Sequence, residues 1–408
     1  MTAAQHDSAH VRLFLALVIL FSLFRYLHLL AVLLWEAPFI DFAHYFTYAM
    51  VVGRGQNPFD PQAVGQVDAV LAIRRAGAAA NYPPLFYVLM QPWTTMAFRP
   101  AAVAWFVLSQ ACVFGALALC IRRLEAPSPI GVAAALFVVF NYQPLIENLA
   151  LGQVNALLLF LVTLAWWSLR TGRPWVASAS VALCPFIKVQ YALLLPLLWW
   201  IGQRRILCRA LLLIAAGVGL GLAILTPAHH LGYARYLIDP PDYLITWTAN
   251  LSSRATFHRL LGALGESWRL ADALTLVMDG AVLMAFARGI PRSLPLASPA
   301  LDWVWGLGVT AIPLLSPLTE EHHLVALLFP LALLLLTCPG IDLPSTDILL
   351  LLGSVLLLGS RYSLERFPVF HQGVPSLLAT GKLLGAASLA WLLLRSIRST
   401  LGAQTETG

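Results

Sequence analysis

Asp41 begins the clearest group of chemically useful side chains in the chain. Together with His44, Tyr45 and Tyr48 it falls at positions i, i+3, i+4 and i+7, which share one face of a helix. A short amphipathic helix at a membrane interface would present this face to a cavity or to lipid headgroups. Asp41 could equally cap the helix, with the tyrosines in an aromatic belt. The spacing alone leaves both interpretations open.

Lys188 lies within an apolar stretch, 176–202, that has an arginine cluster on each side. If both clusters face the cytoplasm, the stretch must go out and return. Two arms of about 13 residues would each be about 20 Å long, against a hydrocarbon core of about 30 Å. The turn is therefore predicted to lie in a recess. A lysine there either faces a polar cavity or an anion, or snorkels from a helix end.

Further polar groups lie near predicted helix ends. The block 147–159 carries Gln153 and Asn155, amides of a kind that often bridge helices within membranes. Asn250 and Arg254 lie in the segment 250–262. The cationic groups of this segment could bind a phosphate or simply be solvated. Spacing does not decide between the structural and the binding role.

His322 and His323 follow two glutamates in the stretch 316–330. Adjacent histidines point to different faces of a helix, and the spacing does not match the HExxH pattern of zinc enzymes. We therefore expect hydrogen bonding to a polar substrate or headgroup, and no metal. The cysteines of the chain form no CxxC pair, so neither a disulfide framework nor a zinc site is predicted.

The sequence contains no P-loop, no GxSxG and no GxGxxG in a Rossmann pattern, so no nucleotide cradle is predicted. Its arginines form short clusters between apolar runs, as topology signals do, and this pattern argues against nucleic acid as a partner. An enzyme of this kind would need an activated substrate that reaches a lipid-lined cavity. A lipid phosphate carrier fits, with Lys188 or the loop arginines binding its phosphate.

The elements that position these groups are predicted to be transmembrane helices. The chain of 408 residues is 60% hydrophobic and 11% charged, with a mean hydropathy of +0.79. Soluble domains carry about 25% charged residues. Long apolar runs recur throughout, which predicts an all-α polytopic membrane protein embedded in the lipid bilayer. We expect residues 1–408 to form a single transmembrane domain, with a disordered tail at 399–408.

Dense arginine clusters mark the predicted cytoplasmic side. They are Arg122/Arg123, Arg170/Arg173, Arg204/Arg205/Arg209, Arg288/Arg292 and Arg395/Arg398. With these inside, roughly twelve helices cross the membrane, both termini are cytoplasmic and 84–98 is a re-entrant or short segment. The outer segments are then 36–83, the link near 144–153, 227–265, 316–323 and 361–375. The first outer loop, 36–83, and the second, 227–265, are the longest.

In their order along the chain, these motifs resemble glycosyltransferase family 87. The motifs that carry the resemblance are DFAHYFTYAMVVGRGQNPFD, YPPLFYVLMQP, the GQVN block, FIKVQYALLLPLLW, NLSSRATFHRLL and SPLTEEHHLVALLFP. They cover most of residues 36 to 330. The family consists of polytopic GT-C transferases and includes polyprenol-phosphate-mannose-dependent α-mannosyltransferases.

The resemblance implies a GT-C fold in the plasma membrane, with its active site in the loops on the extracytoplasmic face. It implies that Asp41 is the general base, which takes a proton from the acceptor hydroxyl in an inverting sugar transfer. The implied donor is a polyprenyl-phosphate sugar, by default mannose, and the acceptor is a glycolipid or glycan. No cofactor is expected. The substrate-binding residues that we expect are His44, Tyr45, Tyr82, Gln153, Asn155, Lys188, Asn250, Arg254, His322 and His323.

One departure from the family pattern bears on the acceptor. Where the family commonly has an aromatic residue, usually Trp, this chain has Glu320. That position is expected to border the acceptor or the sugar, so the resemblance does not identify the acceptor. Arabinofuranosyl transferases are also members of the family, so mannose is a default rather than a deduction.

Two other functions are compatible with a polytopic membrane protein. A transporter or flippase of lipid-linked glycans would carry charges inside several spans and inverted repeats, whereas here the polar residues gather near one face. A non-catalytic assembly protein would not need Asp41 and Lys188 to converge. A transferase does, because reacting groups must meet in one near-attack site.

Overall fold

The computed structural model describes residues 3–71, 80–123, 128–239, 243–262, 268–337, 344–361 and 364–406. Within these ranges the chain is helical and contains no β-strand. Parts of the predicted outer segments, namely 72–79, 240–242, 263–265 and 362–363, lie outside the described residues. The all-α prediction is confirmed for the described part of the chain.

The helices are numbered along the chain. They are α1 (Ala3–Glu36), α2 (Ile40–Gly53), α3 (Pro61–Leu71), α4 (Pro84–Met90), α5 (Phe98–Arg123), α6 (Pro129–Asn141), α7 (Gln143–Leu151), α8 (Asn155–Arg170), α9 (Pro174–Ile187), α10 (Leu194–Trp200), α11 (Arg204–Ile224), α12 (Pro227–Ile238), α13 (Tyr243–Thr246), α14 (Ser253–Gly262), α15 (Trp268–Gly289), α16 (Ala300–Leu315), α17 (Leu328–Thr337), α18 (Ser345–Gly359) and α19 (Gly381–Glu406). Short 3-10 helices lie at Gln91–Thr95, Val189–Leu193, Glu321–Leu327, Leu364–Arg366, Pro368–Phe370 and Val374–Thr380.

Five helical segments are long and apolar enough to cross a membrane. They are Leu13–Glu36, Phe98–Arg123, Arg204–Ile224, Trp268–Gly289 and Val374–Ala403. The bent pair α6 and α7, with an angle of 44°, makes a sixth if it counts as one span. Several further apolar helices have only 10–17 residues. The prediction of roughly twelve crossings therefore stays a prediction.

The interior of the bundle is formed by helices that are apolar on all sides. Nearly every residue of α16 is buried, and α17 is buried along most of its length. A helix that is hydrophobic all round belongs in a core. Helix α8 packs on α5 and α9, while α19 packs on α16 and α18. In contrast, α1 exposes large apolar side chains such as Leu17 and Phe21, as a lipid-facing helix would.

Two predicted irregular segments have the expected form. The run 84–98 contains only the short helix α4 and the 3-10 helix Gln91–Thr95, of 7 and 5 residues. Each is about 10 Å long, too short to cross a bilayer alone. The apolar run 176–202 breaks at Lys188, where α9 ends and the backbone becomes extended (φ −139°, ψ 117°). This break lies where the turn in the sequence was predicted.

Two other predictions need correction. The predicted disordered tail at 399–408 is helical over 399–406, because α19 continues to Glu406, and residues 407 and 408 lie outside the described residues. Trp303 Nε1 donates a hydrogen bond to Thr400 Oγ1 (3.2 Å), which ties this turn to α16. Helix α2 is also not an amphipathic surface helix, since ten of its 14 residues are buried. Aromatic neighbours enclose it, including Trp105 against Phe42.

Candidate active site

A cavity of about 610 Å³ collects side chains from separate parts of the chain. Its polar wall contains Asp41, His44, Tyr45, Asn81, Tyr82, Gln153, Lys188, Gln190, Tyr233, Tyr236, Arg254, Ser316, Glu320, His322 and His323. These residues come from four segments predicted to lie outside, 36–83, 144–153, 227–265 and 316–323, and from the predicted recess. Asp41 and Lys188 therefore line the same cavity, as a catalytic function would require.

Asp41 lies in the first turn of α2 and takes no part in capping it. The residue before the helix, Phe39, has a left-handed backbone (φ 46°, ψ 47°), and this N-cap position has no side-chain capping hydrogen bond to the described residues. Asp41 Oδ2 instead accepts a hydrogen bond from Gln153 Nε2 at 2.9 Å. The interpretation of Asp41 as a helix cap is therefore wrong, and its carboxylate belongs to the cavity wall.

Burial raises the pKa of Asp41 to about 6, the largest influence on this group. The hydrogen bond from Gln153 and the charge of Lys188 act in the opposite direction and limit the increase. A carboxyl group with a pKa near 6 is mostly ionised at pH 7 and is a stronger base than an ordinary aspartate. The environment of Asp41 therefore suits proton abstraction at neutral pH.

The turn between α7 and α8 fixes Gln153. Gly152 has a left-handed backbone (φ 72°), and the N–H of Gln153 donates to Asn148 O at 2.8 Å, in the manner of a glycine-terminated helix. A Cβ on Gly152 would lie 2.6 Å from Phe42 Cβ, so glycine allows α7 and α2 to approach closely. The GQVN block thereby brings the amide of Gln153, between α7 and α8, to the carboxylate of Asp41 in α2.

Two tyrosines fix the orientation of the Gln153 amide. Tyr45 and Tyr82 donate to Gln153 Oε1 at 2.7 and 3.3 Å. Their hydroxyl oxygens are 2.7 Å apart. Because its oxygen accepts from tyrosines, the amide must direct its N–H groups towards Asp41. Tyr45 and Tyr82 therefore act on Asp41 through Gln153, and each also lines the cavity.

Lys188 is held in the break between α9 and the following 3-10 helix. Only 7% of its surface is exposed, and its Nζ lies 5.9 Å from the ring centroid of Tyr82. A snorkelling lysine would extend its amine to the surface, and this one is enclosed in the cavity wall. Burial lowers the pKa of Lys188, and the charges of Glu320 and Asp41 oppose this decrease. An anion that enters the cavity would add to their effect and favour the protonated, ammonium form of Lys188.

The stretch 320–323 divides between two environments. Glu321 forms an ion pair with the buried Lys382 at 2.9 Å, while Glu320, His322 and His323 line the cavity. The two histidine rings lie 4.6 Å apart at 87°. Both histidines line the cavity although they are adjacent in sequence, because they lie in the first turn of a 3-10 helix (Glu321–Leu327) whose capping contact turns His323 back towards Glu320.

Glu320, His322 and His323 each place a possible ligand atom within 4.8 Å of the others. His323 Nδ1, however, accepts the backbone N–H of Glu320 at 3.1 Å, so one of its two nitrogens is already used. The charge of Lys188 also acts on both histidines and opposes a dication. These contacts favour the expected hydrogen-bonding role, and the absence of a catalytic metal stays a prediction.

Three predicted substrate-binding residues are engaged with the protein. Asn155 is fully buried and bonds to Asn148 Oδ1 through its backbone N–H and its amide, at 3.2 and 3.3 Å. The amide of Asn250 bonds to the carbonyls of Leu244 and Pro317. Neither residue is part of the cavity wall. Arg254 does line the cavity, but its Nε pairs with Asp272 at 2.9 Å.

The remaining prediction on α2 concerns His44. His44 is buried, lies against Tyr48 with ring centroids 4.2 Å apart and the rings tilted by 37°, and contributes to the cavity wall. Three further lining residues, Gln190, Tyr233 and Tyr236, were not predicted from the sequence, because no motif or spacing marked them. These side chains reach the cavity only through the packing of α12 and the segment after Lys188.

Comparison with known proteins identifies the class to which this arrangement belongs. The family model described as "Glycosyltransferase family 87" matches residues 81–317. The chain therefore belongs to glycosyltransferase family 87, and its apolar helices make it a membrane protein of that family. The matched range begins after α2 and ends before the 320–323 stretch. Asp41, Glu320 and the two histidines thus lie outside it.

One curated relative has a named activity. The chain is 28% identical over 281 residues to a "Polyprenol-phosphate-mannose-dependent alpha-(1-2)-phosphatidylinositol pentamannoside mannosyltransferase" of Mycobacterium tuberculosis (strain CDC 1551 / Oshkosh). The alignment covers 66% of this chain and 61% of the relative. The chain thus matches less than two thirds of the relative's length.

Proposed function

We propose that this protein transfers a sugar from a polyprenyl-phosphate donor to an acceptor hydroxyl with inversion, and that Asp41 is the general base. The observation that carries the proposal is the arrangement of Asp41, held by the neutral amide of Gln153, in one cavity with Lys188. A neutral donor orients the carboxylate without neutralising its charge. Asp41 therefore loses less of its basicity than it would in a direct ion pair.

The reaction joins the acceptor oxygen to the anomeric carbon of the sugar. As this bond forms, the bond from that carbon to the phosphate oxygen breaks, and its electron pair stays on the phosphate. Asp41 takes the proton of the hydroxyl, which becomes acidic only as the new bond forms. Attack from the side opposite the phosphate inverts the anomeric centre. A β-linked donor thereby gives an α product.

The departing lipid phosphate needs positive charge close to the oxygen that it gains. Lys188 is the cation that the cavity offers most directly, because it is buried and belongs to the wall that contains Asp41. Charge stabilisation in a site shielded from water is worth more than in bulk solvent. Arg254 contributes less, since Asp272 already neutralises much of its charge. His322 is placed to donate a hydrogen bond.

A polyprenyl donor must reach the cavity from the bilayer. Val189, Ile238 and Trp247 line the cavity, and 41%, 84% and 43% of their surfaces are exposed. Exposed apolar side chains at the mouth of a polar cavity suit a lipid tail that stays in hydrocarbon. This rim supports a donor that enters sideways with its phosphate directed towards Lys188.

The substrate identities are proposed from the relative. Its name specifies mannose as the sugar and a phosphatidylinositol pentamannoside as the acceptor. For this chain we propose mannose as the sugar and a glycolipid or glycan as the acceptor class. We place the reaction on the extracytoplasmic face of the plasma membrane, since the cavity is lined by four segments predicted to lie outside. A GT-C fold and roughly twelve crossings belong to the same proposal.

The proposal is tested with the purified full-length chain in proteoliposomes. Polyprenyl-phosphate mannose carrying a labelled sugar is supplied with a mannosylated glycolipid acceptor. We expect label to appear in the acceptor, with an α linkage by glycosidase digestion. A transporter would instead move labelled donor across the bilayer without forming a product. Label transport without transfer, across a range of acceptors, would replace the proposed function with the transporter alternative.

A further inference from the structure

A second cavity, of about 520 Å³, lies on another side of α14. Its wall includes Trp247, His258, Arg259, Gly262, Trp268 and His371. Trp247 also lines the first cavity, so a single side chain contributes to both walls. Along α14, Arg254 belongs to the first cavity and Arg259 to the second. The second cavity is thus a neighbouring compartment that the proposed reaction does not use.

Arg259 is the unusual residue of this second cavity. Only 1% of its surface is exposed, which is rare for an arginine. Its Nη1 donates to the carbonyl oxygens of Trp247 and Asn250 at 2.9 and 2.7 Å. Its Nε and Nη2 are buried and make no hydrogen bond to any residue in the described ranges. This pair of N–H groups forms the guanidinium edge that binds two oxygens of one anion side by side.

The charge of Arg259 is also not balanced by the protein that the structure describes. The carboxylate of Asp272 contacts Arg254 at 2.9 Å and His258, the neighbour of Arg259 in sequence, at 3.0 Å. Burial lowers the pKa of Arg259 to about 10, and no described carboxylate opposes this effect. Burying a charge without a counter-ion is strongly unfavourable. A ligand that supplies an anion would remove this cost.

The position of the cavity indicates which anion it would meet. Trp268 is the first residue of α15, a candidate membrane span, and 46% of its surface is exposed. Trp247 is similarly exposed at 43%. Tryptophans at the end of a span are typical of the headgroup level of a bilayer, where lipid phosphates lie. The volume of about 520 Å³ also suits a group of headgroup size.

We propose that the second cavity binds a phosphate group, with Nε and Nη2 of Arg259 as its paired donors. The phosphate would come either from the headgroup of an anionic phospholipid or from a free phosphate ion. Both present the two oxygens that the free guanidinium edge requires. The site is separate from the proposed transfer chemistry, and its existence does not depend on that function.

The test uses thermal unfolding of the full-length protein in a neutral detergent. The probes are sodium phosphate, dihexanoyl phosphatidylglycerol and, as an uncharged control, dihexanoylglycerol. A saturable rise in Tm with phosphatidylglycerol alone indicates the lipid source, and a rise with sodium phosphate as well indicates a site for the free ion. Dihexanoylglycerol should have no such effect. If neither phosphate probe raises the Tm, the proposal is overturned.

Three variants locate the binding. Arg259→Lys keeps the charge but loses the paired edge, and we expect binding at least about tenfold weaker. Arg259 also bonds to two carbonyls and so contributes to folding, and Gly262→Leu provides a second test that leaves the arginine in place. A Cβ at Gly262 meets no described atom within 4 Å, and the larger side chain should occupy cavity space and weaken binding similarly.

The matched control is Arg269→Met, which removes an exposed arginine from the same end of α15. It should bind the phosphate probe as the parent protein does. Equal binding by Gly262→Leu and the parent, or loss of binding in Arg269→Met alone, would contradict the proposed site. The first result would mean that the ligand lies elsewhere, and the second that surface charge causes the effect.

Discussion

Asp41 and Asp302 are two aspartates in the same helical bundle, with very different partners. Asp302 pairs with Arg170 Nε at 3.1 Å and accepts a hydrogen bond from Trp166 Nε1 at 2.7 Å. Asp41 accepts from the neutral amide of Gln153 and lines a cavity. The charge of Asp302 is thus balanced by an arginine in direct contact, whereas the carboxylate of Asp41 is oriented by a neutral amide and faces a cavity.

The partners of Asp302 show what it does. Arg170 Nη1 also donates to the carbonyls of Leu296 and Ser298, both at 2.8 Å. Arg170 therefore ties α8 to the segment before α16, and Asp302 supplies its counter-charge. Within the part of the chain that the structure describes, Gln153 Nε2 donates to Asp41 and to no second segment. The comparison teaches that a buried carboxylate indicates function only when its partners leave it reactive.

Lys188→Met should give the largest loss among the changes that leave Asp41 in place. It removes the cation nearest to the proposed phosphate position and keeps a side chain of similar length. We expect the rate of transfer to fall by about 10²–10³-fold, as when one charge-stabilising donor is removed. Steady-state kinetics with a polyprenyl-phosphate sugar measures this, and an unchanged rate would exclude Lys188 from catalysis.

The pH dependence of transfer should report the pKa of Asp41. The base acts as the carboxylate, so the rate falls as pH decreases through about 6. Below that value the ionised fraction, and with it kcat/KM, drops about tenfold for each pH unit. Above it, this group produces a plateau. A profile that stays flat down to pH 4 would contradict a base in this environment.

Gln153→Leu removes the amide that orients Asp41. We expect kcat to fall by about tenfold or more, because small losses of orientation are costly in a near-attack geometry. The hydrogen bond from Gln153 lowers the pKa of Asp41, so its loss should also move the acidic limb of the profile to higher pH. Asn148→Leu provides a comparison in the same turn. A purely structural role for Gln153 would lower stability without moving the limb.

Asp302→Asn should change catalysis least. It leaves the side chain of Arg170 without its counter-charge, and we expect a loss of folding free energy on the order of 2 kcal/mol. The turnover of each folded molecule should match that of the parent, since Asp302 is not part of the cavity wall. A thermal unfolding curve and an activity normalised to folded protein test both points. A large loss of turnover would show that the two aspartates are not separate in function.

From the sequence, one kind of long-range contact could be predicted: which segments lie on the same side of the membrane. Arginine clusters and apolar runs predicted which segments share a side, and four of the predicted outer segments do meet around the cavity. Topology follows from charge and hydropathy, which are local properties of the chain. The break at Lys188 was predictable for the same reason, since each arm is too short to cross a bilayer.

Other features depend on packing that no local pattern encodes. Glu320 and Glu321 are neighbours in sequence, yet Glu320 lines the cavity and Glu321 pairs with Lys382. Lys382 lies sixty-one positions after Glu321 in the chain. Asn155 has the residue type of a ligand-binding amide but bonds within its own turn. Helix α2 has the spacing of an amphipathic helix and is nevertheless enclosed by aromatic side chains. Each outcome depends on which distant helix arrives beside the residue.

The most direct test of the central claim compares Asp41→Asn with Asp302→Asn in single-turnover transfer. Asparagine keeps the size of the side chain and removes the base. With donor and acceptor bound, Asp41→Asn should fold normally and transfer sugar about 10²–10⁴-fold more slowly than the parent, the usual contribution of a general base. Asp302→Asn should transfer at the parental rate. If folded Asp41→Asn kept the parental single-turnover rate, Asp41 would not be the general base.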